Sequence, residues 1–136
     1  MSAKHDQTGR SKGGSCFLQM SHYLLDCDAW RACSVYERSL YLAIKRHFNG
    51  FNNGAISYSH RQAQEDLGCS NKPVMAAFKG LQEKGFIRET QKGAFHWKTR
   101  VNGRMRATTW ALTEHPIDEP EKHLTATKDF MKWKPE

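Results

Sequence analysis

Residues 56–93, ISYSHRQAQEDLGCSNKPVMAAFKGLQEKGFIRETQKG, read as a short strand, two helices joined by a tight turn, and the start of another strand. Ser59 and Gln62 have the Ser-x-x-Gln spacing of a capping box, in which each side chain satisfies a backbone N–H that the other end of the first turn leaves open. Tyr58 and Ala63 take the staple positions beside it. Ala63 and Leu67, four apart, mark the buried side of this first helix, and Gly68 stops it after about two turns. Cys69 reads as the buried residue of the turn, and Ser70 opens the next helix. Pro73 falls in its first turn, where a missing N–H breaks no intrahelical bond. Val74, Ala77, Phe78 and Leu81 recur at helical spacing and define the inner face, leaving Asn71, Lys72, Met75, Lys79 and Gln82 outside. Gly85 ends the helix, and Phe86-Ile87-Arg88 opens a strand.

Upstream, Ser34 and Glu37 have capping-box spacing just before an apolar period at Val35, Leu40, Ala43 and Ile44, with Phe48 a turn further on. This predicts a helix to about His47, ended by Asn49-Gly50 and a turn at residues 51–54. Earlier still, the mixed apolar stretch 17–25 leads to Asp26 and Asp28, either of which suits the cap of a short helical turn through Trp30 and Cys33. Tyr23 and Trp30 read as core. Downstream of the quoted stretch, β character runs over 86–90, 95–101 and 105–112, with Gly93 at the first turn and Asn102-Gly103 as a two-residue hairpin signal. Trp97 and Trp110 read as core or strand-face packing.

The ends differ in composition from this centre. Residues 1–16 read as a flexible basic arm carrying Lys4, Arg10 and Lys12 against Asp6, and residues 17–113 as the domain. Residues 114–136 hold three of the four prolines and read as a tail, with Phe130, Met131 and Trp133 as an apolar cluster that docks on its own domain, on a second copy or on a protein partner.

A chain of 136 residues suits one domain with tails. Lysine plus arginine outnumber aspartate plus glutamate 21 to 14, giving a net charge of +7 and a pI near 9.4, which fits a polyanionic partner. No apolar run approaches the roughly 18 residues of a membrane span, and the first residues lack the apolar segment of a secretion signal. The expected location is the cytoplasm, with the nucleoid when bound. Cys16, Cys27, Cys33 and Cys69 are irregularly spaced without a Cys-x-x-Cys pair, so neither a metal nor a cofactor is expected. The glycines at 13–14 lack the lysine and context of a phosphate loop, the seven histidines are scattered, and no catalytic constellation appears.

The order helix, short strand, helix, turn, helix, strands is that of an α+β winged helix-turn-helix, a three-helix core with a basic β-hairpin wing. In that geometry the first helix of the pair braces the second so that its polar N-terminal side enters a major groove. Ser59, Arg61, Leu67, Gly68, Ser70, Pro73, Val74, Ala77, Leu81, Gly85 and Phe86 follow the gap-free pattern S-x-R … L-G-x-S-x-x-P-V-x-x-A … L-x-x-x-G-[LF]. In this the stretch resembles winged helices of the GntR type, and Lys92-Gly93-Ala94-Phe95 is similar to their short wing. The whole domain also resembles small winged-helix proteins of bacterial phages, plasmids and integrated elements. The resemblance implies DNA contacts by Arg61, by Ser70, Asn71, Lys72 and position 75, and by Gly93. Met75 departs from the arginine usual there, and only about 23 residues follow Thr113, so no effector-binding domain of the GntR kind is expected.

Side-chain chemistry is compatible with those positions. Asn71 suits adenine and Lys72 guanine, each worth roughly 1–3 kcal/mol of discrimination, although both also read as solvated helix-start residues. Arg61 and Lys79 are placed for phosphate, and Ser59 counts among the contacting positions. Lys92, Lys98, Arg100, Arg104 and Arg106 fall between residues 90 and 113 with no acidic residue among them, which suits phosphate or minor-groove contact and equally an edge that deters strand pairing. The leading expectation is a non-enzymatic, sequence-specific binder of double-stranded DNA that regulates transcription as a homodimer. The others are a replication-initiation or recombination accessory protein of a mobile element, and a winged helix used to bind protein.

Overall fold

A computed structural model describes residues 16–91 and 107–136. In chain order these form α1 (His22–Asp26), α2 (Asp28–Arg31), α3 (Val35–Lys45), β1 (Ile56–Ser57), α4 (His60–Leu67), α5 (Asn71–Glu83), β2 (Ile87–Gln91) and β3 (Thr109–Leu112), with a 3-10 turn at Asp129–Lys132. The class is α+β, with five helices and one three-stranded antiparallel sheet among the described residues.

The helix starts follow from short polar side chains. Ser34 Oγ accepts from Glu37 N at 3.1 Å, but the reciprocal half of that box is not made, because the Glu37 carboxylate pairs instead with Lys84 at 2.8 Å. At Ser59 both halves are present, with Ser59 Oγ accepting from Gln62 N and Gln62 Oε1 accepting from Ser59 N. Gly68 closes α4 at φ 66°, a left-handed conformation that costs glycine no Cβ clash and turns the chain directly into α5. Neither Asp26 nor Asp28 caps α2. Cys27 between them holds the extended N-cap position, and its Sγ accepts from Trp30 N at 3.4 Å.

The inner face of α5 is as its period predicts, with Val74, Ala77, Phe78 and Leu81 buried. On α3 the buried set is Leu40, Tyr41, Ile44 and Lys45. Val35 is 72% exposed, contrary to the expectation, because at 3.6 residues per turn it lies about 140° round the helix from Leu40. Cys69 is half-buried at the edge of the core rather than inside it.

β3 is the middle strand, in the order β1-β3-β2, with Ile56 opposite Trp110 and Ile87 opposite Leu112. Trp110 is core, its indole N–H donating to Tyr58 O at 2.9 Å and its ring stacked 5.0 Å from Phe78. That one side chain ties the sheet to the strand–helix junction before α4. Trp30, Tyr41 and Phe86 meet edge to face at 5.5–5.8 Å on the other side of the core.

Residues after Thr113 fold back over this second side. Glu114, Ile117 and Phe130 are buried, and Phe130 stacks on Phe86 at 5.0 Å with an interplanar angle of 7°. Gly85, at φ 84°, admits the close approach: a Cβ there would stand 2.8 Å from the Asp129 carbonyl carbon and 2.9 Å from Phe130 N. Asn53 holds the start of the segment, its Nδ2 donating to the carbonyls of Leu112, His115 and Pro116 while its Oδ1 accepts from Leu112 N. Of the apolar cluster, Phe130 is therefore occupied within its own chain, Trp133 is half-buried under Lys84 and Met131 is exposed. The arm at 1–15, the strand expected over 95–101, Trp97 and the Asn102-Gly103 turn lie outside the described residues.

Candidate nucleic-acid interface

The outer side of α5 presents Asn71, Lys72, Met75, Lys79 and Gln82, all exposed, and Arg61 is exposed on α4. This exposure is the complement of the inner face: with the Val74, Ala77, Phe78 and Leu81 stripe in the core, the residues between them have nowhere else to point. The predicted positions on the helix pair differ in what engages them. Ser59 is half-buried and its hydroxyl is committed to the cap of α4, so it is the least available of the set. Ser70 occupies the N-cap of α5 without a side-chain cap bond. Lys72 has no ion-pair partner among the described residues, whereas Arg61 lies 3.9 Å from Glu65 and Lys79 3.9 Å from Glu83.

Asn71 and Met75 are joined. The Asn71 Nδ2 donates to Met75 Sδ at 3.2 Å, and Asn71 Oδ1 accepts from Gln64 Nε2, also at 3.2 Å. Gln64 was not among the expected site residues. The Asn71–Met75 spacing of four is visible in sequence, but Gln64 reaches Asn71 across the turn, which no periodicity indicates.

A groove of about 630 Å³ runs between α5 and the sheet, bordered by His60, Met75, Lys79, Glu83, Glu89 and Thr108. Burial pushes the His60 imidazole below its usual range, with Glu89 opposing, so the ring stays neutral at neutral pH, 4.5 Å from Phe78. Glu83 and Glu89 make this groove less positive than the sequence pattern implies. The net charge sits elsewhere. Residues 92–106 hold five cations and no anion, residues 1–15 hold three cations against Asp6, and the 13 cations and 13 anions of the described residues cancel. Lys92, Gly93, Lys98, Arg100, Arg104 and Arg106 all belong to the connection between β2 and β3, outside the described residues.

Among the described residues no group of three or more His, Cys, Asp or Glu is arranged to hold a metal ion, and no helix is long and apolar enough to cross a membrane. Comparison with protein-family models, with curated proteins and with solved structures found no match for this chain.

Proposed function

We propose that the chain is a winged helix-turn-helix protein that binds double-stranded DNA with sequence preference and regulates transcription, as a dimer on a palindromic site. The observation that carries the reading is where the charge sits relative to the helix pair. Glu89, two residues before the end of β2, and Thr108, just before β3, border the same groove as Met75 and Lys79 of α5. The described residues that flank the basic stretch in the sequence therefore lie beside the exposed helix. The compact α3, α4 and α5 packing and the sheet order β1-β3-β2 support the same reading.

The division of labour is that the near-neutral helix pair reads bases and the basic connection holds phosphates. Selection from a random duplex pool, followed by binding at several salt concentrations, tests it. Lys72→Ala changes the preferred base at one position, while Arg104→Ala weakens all duplexes alike and reduces the salt slope by about one. A wild-type chain without a preferred duplex rules out the regulator, and equal losses on every sequence from both changes rule out the division.

A second reading, a winged helix that binds protein, is favoured by the charge balance of the described surface and by the carboxylates beside Arg61 and Lys79. It requires partner capture that persists in high salt, with no DNA binding in low salt.

A further inference from the structure

We infer that Gln64 and Met75 are positioning residues that fix the amide of Asn71 for one adenine of an A·T pair, an assignment that rests on the DNA-binding reading above. A free asparagine amide turns over readily and presents donor and acceptor in either order. Here the order is set by chemistry. The thioether of Met75 has no hydrogen to give, so the group 3.2 Å from it must be the Asn71 NH2. The Asn71 oxygen then faces Gln64, whose NH2 lies 3.2 Å away and donates to it.

Counting what is left gives the ligand. The amide oxygen has two acceptor sites and Gln64 uses one, and the NH2 has two hydrogens and Met75 takes one. One acceptor and one donor of the amide remain on the exposed first turn of α5. In the major groove adenine alone among the bases offers the complementary pair on a single base, an N6 hydrogen and the N7 acceptor. The departure at position 75 acquires a role by the same count. An arginine there carries donors only and faces the Asn71 NH2 with no acceptor, so methionine is the residue that makes the arrangement possible.

The test is duplex selection with the full chain, followed by competition between the selected site and the same site with each A·T pair replaced in turn. Asn71→Ala loses the preference at one A·T position by about 5- to 150-fold, the range a bidentate base contact supports. Gln64→Ala relaxes the same position by about threefold or more and leaves affinity for the replaced site and thermal stability unchanged, which a merely structural role does not do. Met75→Leu, which keeps the volume and removes the acceptor, acts at the same position in the same direction. Gln64→Lys retains a donor toward the Asn71 oxygen and keeps the preference. The inference is overturned if Asn71→Ala and Gln64→Ala affect different positions, or if Gln64→Ala weakens every duplex equally. A wild-type chain that selects no sequence overturns both the inference and the regulator reading; a selected site indifferent to Gln64 overturns the inference alone.

Discussion

Among the described residues, two sets of ion pairs stand at opposite extremes of burial. On the side covered by the C-terminal segment, Lys45 meets Glu114 at 2.7 Å with side chains 4% and 2% exposed, and Lys84 meets Glu37 at 2.8 Å. On the α4–α5 side, Arg61 and Glu65 are 3.9 Å apart with side chains 89% and 72% exposed, and Lys79 and Glu83 stand at the same distance. The residue types are the same and their work is different. The buried Lys45–Glu114 pair is fixed by further hydrogen bonds: the Tyr41 hydroxyl also donates to Glu114, and Lys45 also donates to Gln19 O. The exposed pairs are worth about 0–1 kcal/mol each, so their cations are free to exchange a carboxylate for a phosphate at little cost. Charge is fixed at Lys45–Glu114 and Lys84–Glu37 and kept loose at Arg61–Glu65 and Lys79–Glu83.

The largest test of that contrast is Glu114→Ala. It leaves Lys45 buried without its counter-ion and Tyr41 without its acceptor, and costs about 3–5 kcal/mol in urea unfolding. The triple change Lys45→Met, Glu114→Leu and Tyr41→Phe recovers most of the loss, because it leaves neither a buried charge nor the Tyr41 hydroxyl without a partner. A single-mutant loss below about 1 kcal/mol would place this pair in the same class as the exposed ones.

Gly80→Ala probes the half-buried pair of Lys84 and Glu37. In an exposed helix interior this change stabilises by about 1 kcal/mol. Here the new Cβ would stand 2.7 Å from the Glu37 carboxyl carbon and 2.8 Å from its Oε1, displacing the group that Lys84 holds. A loss of about 1–3 kcal/mol is expected in the wild-type background, and a gain once Glu37→Ala has removed the obstruction. A gain in both backgrounds would show that Glu37 moves aside freely.

The same contrast explains what the amino-acid sequence revealed. Elements set by neighbours were legible: the Ser59 capping box, the Gly68 stop and the Val74–Leu81 inner face all depend on residues within about one or two helical turns. The covered side depends on partners 59–73 residues apart, such as Asn53 with Leu112, Lys45 with Glu114 and Tyr41 with Glu114, and no local period reports them. Prolines and acids after Thr113 therefore read as a tail; docking of Phe130 on its own domain is one of the readings the sequence offers, whereas the burial of Glu114 has no local signal. Val35 was misassigned because one apolar residue at a helix start satisfies a pattern without lying on its face. At the candidate interface, the outward residues of α5 follow from its inner face, but the Gln64 contact needs the turn geometry that brings α4 against α5.

Proton linkage gives a smaller test on the covered side. Burial lowers the His115 imidazole below its usual range; Glu114 and Asp118 oppose the shift, and Lys45 adds to it. Its folded pKa is thus below the unfolded value of about 6.5, and the unfolded chain binds the proton more readily. The stability this provides is complete above that value and is lost as pH falls through the lowered folded pKa. His115→Phe keeps the stacking on Phe48, now 4.6 Å away, and removes the titration. The expected result is a shallower fall of melting temperature with acidification below about pH 6.5 than in the wild type. An unchanged slope would assign the acid sensitivity to groups other than His115, His60 and the carboxylates among them.

The smallest stability effect and the clearest separation of the two sides come from Glu65→Gln with Glu83→Gln. Both changes act on i,i+4 pairs at 3.9 Å in solvent, so unfolding free energy moves by no more than about 1 kcal/mol for the two together. If Arg61 and Lys79 face phosphate, removing their carboxylates tightens binding to every duplex and steepens the salt dependence without altering the preferred sequence, because phosphate contacts carry no base information. A changed base preference would move one of these residues from the backbone to the base edges. An unchanged affinity would mean that Arg61 and Lys79 do not meet phosphate, leaving the β2–β3 connection and the N-terminal arm as the charge that does.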